Sequence, residues 1–139
     1  MTSTTSNRGT PALGGAKPMR ILLVDDHADT RDGLRRLLER RGHHVRAAES
    51  CATAVVVAAE MAGDGGLDVV VGDVGLPDGD GVALMQAVVR RHGCRAVALT
   101  GWGEPDDLRR YEAAGINRAF IKPVDLDEFF TALEALVAL

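Results

Sequence analysis

The chain has 139 residues, a formal net charge of −4, 46% hydrophobic residues and 26% charged residues. These are values for one soluble globular domain with a single core, and the acidic balance argues against a surface that neutralises nucleic-acid phosphates. Cys51 and Cys94 form no CxxC pair, no apolar run approaches the roughly 20 residues of a membrane helix, and no hydrophobic segment marks a signal peptide. Reduced thiols and a cytoplasmic protein without membrane or nucleic-acid contacts are therefore expected.

Residues 1–18, rich in Thr, Ser, Gly and Ala, are expected to form a disordered leader, and residues 19–139 the folded domain. The first strand is Ile21 to Val24, a continuous apolar run suited to burial on both faces. Asp29 is expected to cap a helix whose Leu34, Leu37 and Leu38 share one face, with Gly42 as its stop. Val45 to Ala47 forms a weaker run, an edge strand. Ser50 then caps an Ala/Val helix to about Met61, although valines are poor helix formers.

Val69 to Val71 is the third strand, followed by the turn-rich Leu76-Pro77-Asp78-Gly79-Asp80-Gly81 and a helix from about Val82 to Arg91. Ala96 to Leu99 is the fourth strand. Pro105 opens a short helix ending near Gly115. Ala119 to Ile121 is the fifth strand. Asp125 and Glu128 have capping-box spacing, and Leu126, Phe129, Phe130, Leu133 and Leu136 then form an apolar stripe. Five strand–helix units in strict alternation imply a doubly wound α/β fold, a parallel sheet with helices on both faces. The chain ends with the fifth helix, so no second domain is expected to follow.

The residues that follow each buried run carry the chemistry. The first strand ends in Asp25-Asp26, the third in Asp73, the fourth in Thr100 and the fifth in Lys122. Ligands of open α/β sheets bind at the carboxyl ends of the strands, so three carboxylates, a hydroxyl and an ammonium converge on one rim. Any one of them alone is best read as a solvated loop residue. Together they make a site: crowded carboxylates repel one another, and a hard divalent cation such as Mg²⁺ relieves that repulsion. Lys122, one of only two lysines with Lys17, supplies a further positive charge. An oxygen nucleophile, a metal and two electrostatic partners are what phosphoryl transfer requires, and an aspartate can be the nucleophile.

In this order, Ile21 to His27, Asp73 to Gly81, Ala98 to Gly101, and Ala114-Gly115 through Lys122-Pro123 resemble the receiver domains of bacterial two-component systems, over residues 19 to 139. The resemblance implies a flavodoxin-like (βα)5 fold with strand order 2-1-3-4-5. It implies that Asp73 is the phosphoacceptor, that Asp26 ligates the metal directly, and that Asp25 acts through a metal-bound water. It makes the Gly75 carbonyl the backbone metal ligand. Thr100 becomes the hydroxyl that turns toward the phosphoryl group, and Lys122 the lysine that pairs with it. The cofactor implied is Mg²⁺ or Mn²⁺. The partner is a histidine kinase or a histidine phosphotransfer protein, and the role is signalling rather than enzymatic turnover. A cis bond before Pro123 is also implied.

The chain departs from the family pattern at three places. Gly75 and Trp102 stand at positions that flank the phosphoryl group, and Ala119 stands where many receivers carry a switching Tyr or Phe. The missing ring suggests that the signal passes through the glycine-bearing loop 101–107. The Lys-Pro-Val-Asp segment resembles receivers of hybrid histidine kinases. Two other functions fit the pattern less well. A phosphoaspartate phosphohydrolase would place Asp-x-Asp after the first strand, and a phosphorylation-independent module would lack an acidic ligand or the lysine. Among smaller signals, His43 and His44 are expected at the surface, His27 as a loop residue without a ligand role, and Arg35, Arg36, Arg40 and Arg41 on a solvated helix face.

Overall fold

The structure is a computed structural model that describes residues 17–101 and 105–138. Five parallel strands, β1 (Arg20–Val24), β2 (His44–Ala48), β3 (Val69–Asp73), β6 (Arg95–Thr100) and β7 (Arg118–Ile121), form a sheet in the order β2-β1-β3-β6-β7. This is the expected doubly wound order. The numbering shifts because the turn after β3 folds into a tiny antiparallel ribbon of β4 (Gly75–Leu76) and β5 (Gly79–Asp80).

Strand alternation sorts the core into two layers. Ile21, Leu23, Val69, Val71, Val97 and Leu99 face α1 (Ala28–Arg40) and α5 (Leu126–Ala138). Leu22, Val24, Val70, Ala96 and Ala98 face the other way, onto α2 (Cys51–Gly63), α3 (Gly81–His92) and α4 (Pro105–Ala113). On the first side Phe129 is fully buried, with its ring edge-on to Phe120 at 5.5 Å.

Two helix starts show how local chemistry and packing divide the work. Ser50 caps α2 as expected, its hydroxyl accepting from the Thr53 N–H at 3.2 Å. The valine-rich helix holds because Ala54, Val57, Ala58 and Met61 are buried, which overrides its poor propensity. By contrast, α1 begins at Ala28 with His27 at the N-cap and no side-chain cap, so Asp29 lies within the first turn instead of capping it. There its charge still suits the positive end of the helix dipole. Asp125 caps α5, accepting from the Glu128 N–H at 3.1 Å.

His43 is buried, contrary to the expectation of a surface residue. Its Nδ1 accepts from the Met19 N–H at 3.0 Å, and its Nε2 lies 2.9 Å from Glu134 on α5. Arg41 also leaves the solvated stripe to which it was assigned. It makes a two-pronged ion pair with Glu134 at 2.8 and 2.7 Å and stacks over the Phe130 ring.

Candidate functional site

The carboxyl ends of β1, β3, β6 and β7 meet at one rim because the sheet ladder fixes their stagger. Val24 pairs with Gly72, Asp73 with Leu99 and Thr100 with Ile121. The chain then leaves each strand through a backbone hydrogen bond that aims the next residue: Asp25 N–H to Ala48 O, Val74 N–H to Leu99 O, and Lys122 N–H to Thr100 O. Asp25, Asp26, Asp73, Thr100 and Lys122 are thus brought to one end of the sheet by strand register alone.

Asp25 and Asp73 are buried, at 1% and 4% exposure, whereas Asp26 lies partly in solvent. Carboxylate oxygens of all three lie within 4.8 Å of one another, together with a ring nitrogen of His27. Asp25 Oδ1 accepts the His27 backbone N–H at 2.8 Å, while Oδ2 is buried without a hydrogen-bond partner. Lys122 ion-pairs with Asp73. Burial pushes the Asp73 carboxyl well above the ordinary carboxylate range; Lys122 opposes this and the neighbouring Asp25 adds to it. An orphaned buried oxygen within a nest of hard oxygen donors suits a divalent cation, which would satisfy that oxygen and offset the repulsion.

The loop after β3 is held against the site from two sides. Gly81 is required by close approach: a Cβ there would lie 1.9 Å from the Asp73 carbonyl oxygen, and its own N–H donates to Val74 O at 2.8 Å. Asp78 reaches across to the start of α2, where its two oxygens accept from the Cys51 and Ala52 N–H groups at 2.8 and 3.0 Å. Those donors hold the Asp78 carboxyl below the usual range. Gly75 lies two residues beyond Asp73, at the start of the ribbon these contacts brace. The Lys122–Pro123 bond is cis.

Thr100 is buried, and its Oγ1 lies 3.1 Å from the Tyr111 hydroxyl on α4, which is buried as well. The next residue back, Arg110, ion-pairs with Asp80, whose other oxygen caps α3. The sequence pattern does not reveal the Tyr111 contact or the reach of Asp78 to α2, whereas His27 follows the acidic pair and lies beside it. His27 Nδ1 lies 3.5 and 3.3 Å from the Asp25 and Asp26 carboxylates. One signal for Tyr111 was present: the only tyrosine sits shortly before the strand in which Ala119 replaces the usual ring. Trp102 and the next two residues of the loop proposed to carry the signal lie outside the described residues.

A doubly wound sheet with paired acids after β1, a buried Asp at the end of β3 and a lysine after β7 gathers its acids and an ammonium at one end of the sheet. The family model of the response regulator receiver domain matches residues 21–134, and the chain belongs to that family, a signalling module of two-component systems. The sensor histidine kinase AruS of Pseudomonas aeruginosa is 32% identical over 129 residues, covering 89% of this chain but only 12% of the kinase. The chain thus spans about an eighth of that relative's length. An uncharacterised 14.6 kDa protein of Leptolyngbya boryana is 34% identical, over 77% of this chain and 81% of its own. Among solved structures, the non-phosphorylated HemR receiver domain of Leptospira biflexa superposes with a TM-score of 0.76 at 30% identity, covering 88% of this chain and 96% of that one. Among the described residues no helix is long and apolar enough to cross a membrane.

Proposed function

We propose that the protein is a cytoplasmic phosphoacceptor module, phosphorylated on Asp73 by a histidine kinase or histidine phosphotransfer protein and signalling through protein–protein contacts. The observation that carries this reading is the buried Asp73 carboxylate, ion-paired with Lys122 and clustered with Asp25, one of whose oxygens is buried without a partner. An Asp73 oxygen attacks the phosphorus of a partner's phosphohistidine. The O–P bond forms as the P–N bond breaks, and the leaving imidazole takes up a proton. Lys122 stays with the charge that shifts from the carboxylate onto the phosphoryl oxygens. Thr100 donates its hydroxyl to one of those oxygens, a charge-assisted hydrogen bond. Asp25, Asp26, Asp73 and the Gly75 carbonyl would hold Mg²⁺ or Mn²⁺, which neutralises phosphoryl charge when bound.

The test is intact-mass measurement after treatment with a small phosphodonor and Mg²⁺. Wild type should gain one phosphoryl group, Asp73→Asn none, and a chelator should abolish the gain. Equal labelling of wild type and variant would overturn the assignment of Asp73.

A further inference from the structure

We infer that Tyr111 positions the Thr100 hydroxyl in the resting protein, and that its release on phosphorylation makes α4 the element that reports the state of Asp73. The inference rests on the proposed phosphorylation and adds its readout. Thr100 sits at the end of β6 with its hydroxyl 3.1 Å from Tyr111, at 1% and 3% exposure. So a buried side chain of the proposed site is tied directly to a helix outside that site. The adjoining Arg110 ties the same helix to Asp80, at the end of the loop that follows Asp73. Two consecutive residues of α4 thus contact the two segments that phosphorylation would disturb.

The resting contact and the phosphorylated one compete for Thr100. To donate to a phosphoryl oxygen, its hydroxyl must turn from the position in which it meets Tyr111, and a charged acceptor forms the stronger bond. Tyr111 then loses a partner in a buried place, where an unmade hydrogen bond is costly. Space for its relief is at hand. A hollow of about 310 Å³ between α4 and β7 is lined by Tyr111, Leu108, Ile116 and Ala119. Because Ala119 brings no ring into that space, the tyrosine of α4 can shift there and carry its helix with it. The absence of an aromatic at position 119 of β7 and the presence of one at position 111 of α4 are then two halves of one arrangement. Signal leaves the site through contacts that differ between the two states, as any population shift requires.

The test compares wild type with Tyr111→Phe, which keeps the ring and deletes the hydroxyl. Two readouts are taken with Mg²⁺ present: the affinity for beryllofluoride, a phosphoryl mimic, and amide hydrogen exchange across residues 105–113. Wild type must give up the Thr100–Tyr111 contact to bind the mimic, and the variant has none to lose. Tyr111→Phe should therefore bind beryllofluoride about two- to tenfold more tightly, the range set by one net hydrogen bond. Its α4 amides should exchange faster at rest, and the mimic should add little further change. A purely structural role would loosen α4 without tightening the mimic.

Thr100→Val removes the other end of the contact and should loosen resting α4 in the same way, without the gain in affinity. Unchanged affinity in Tyr111→Phe, or resting α4 exchange equal to wild type in both variants, would overturn the inference. If wild type binds no beryllofluoride and takes no phosphoryl group, it is the phosphoacceptor reading that fails. The resting exchange comparison then still decides whether the contact holds the helix.

Discussion

At Asp25 the demands of folding oppose those of the proposed metal ligation. Its Oδ1 is satisfied by the His27 N–H, but Oδ2 is buried beside Asp73 with no donor. Without a cation such a group costs stability, because the low-dielectric surroundings neither solvate it nor screen it from a second carboxylate. Replacing it by Asn keeps the oxygen that accepts from His27 and turns the orphaned acceptor into an amide that can donate toward Asp73. In the presence of a chelator, Asp25→Asn should therefore be more stable than wild type by about 1–3 kcal/mol. Added Mg²⁺ should raise the melting temperature of wild type and not of the variant. Thermal unfolding with and without metal measures both effects, and a variant that is less stable in chelator would contradict the account. The presence of Asp25 in the site was legible in the sequence, since it directly follows a buried apolar run. The state of its two oxygens was not, because that depends on how the β1 and β3 ends are staggered and on the loop that begins at His27.

At the scale of elements, the strands announced themselves because each is a short apolar run buried on both sides, and the helices because leucines, phenylalanines or caps marked one face. What the sequence could not disclose were contacts between loops and the ends of distant helices. Asp78 belongs to the loop after β3, yet it caps α2, 26 and 27 residues away. Turn chemistry alone explains an aspartate there, so nothing in the sequence called for a second role. Asp78→Ala should leave the two leading N–H groups of α2 without their acceptor, and exchange at Cys51 and Ala52 should speed up. The ribbon β4–β5 should loosen with them, since Asp78 lies between its two strands. Amide exchange resolved to single residues reads this directly; a change restricted to α2, with the ribbon silent, would mean that the contact serves the helix alone. Tyr111 illustrates the same difficulty, because its partner Thr100 lies across an element boundary and only the fold sets the two hydroxyls face to face.

Across the whole molecule, the rim that carries the acids is balanced by a clamp at the opposite end of the sheet. There Glu134 of α5 gathers Arg41 and His43 from the turn between α1 and β2, and His43 in turn accepts from Met19 just ahead of β1. The clamp joins both helices of one layer to the edge strand β2 and to its neighbour β1, and only the finished fold assembles it, from residues 91 and 93 apart. Burial alone would raise the Glu134 pKa, but the hydrogen bonds and charges of Arg41 and His43 outweigh it and hold the carboxyl below the ordinary range. A group whose folded-state pKa is depressed adds stability above its unfolded pKa, near 4.3 for a glutamate, and that contribution is lost as the pH falls through the folded value. Glu134→Gln should therefore destabilise the protein near neutral pH by about 1–2 kcal/mol, less than a fully buried pair because the groups keep some solvent. That corresponds to a melting temperature roughly 4–10 °C lower for a domain of this size. The gap between variant and wild type should close as the solution is acidified below the glutamate range, because wild type then loses the same charge. Unfolding curves recorded across that range decide the matter: a gap that persists undiminished in acid would mean that the loss comes from packing, not from the carboxylate.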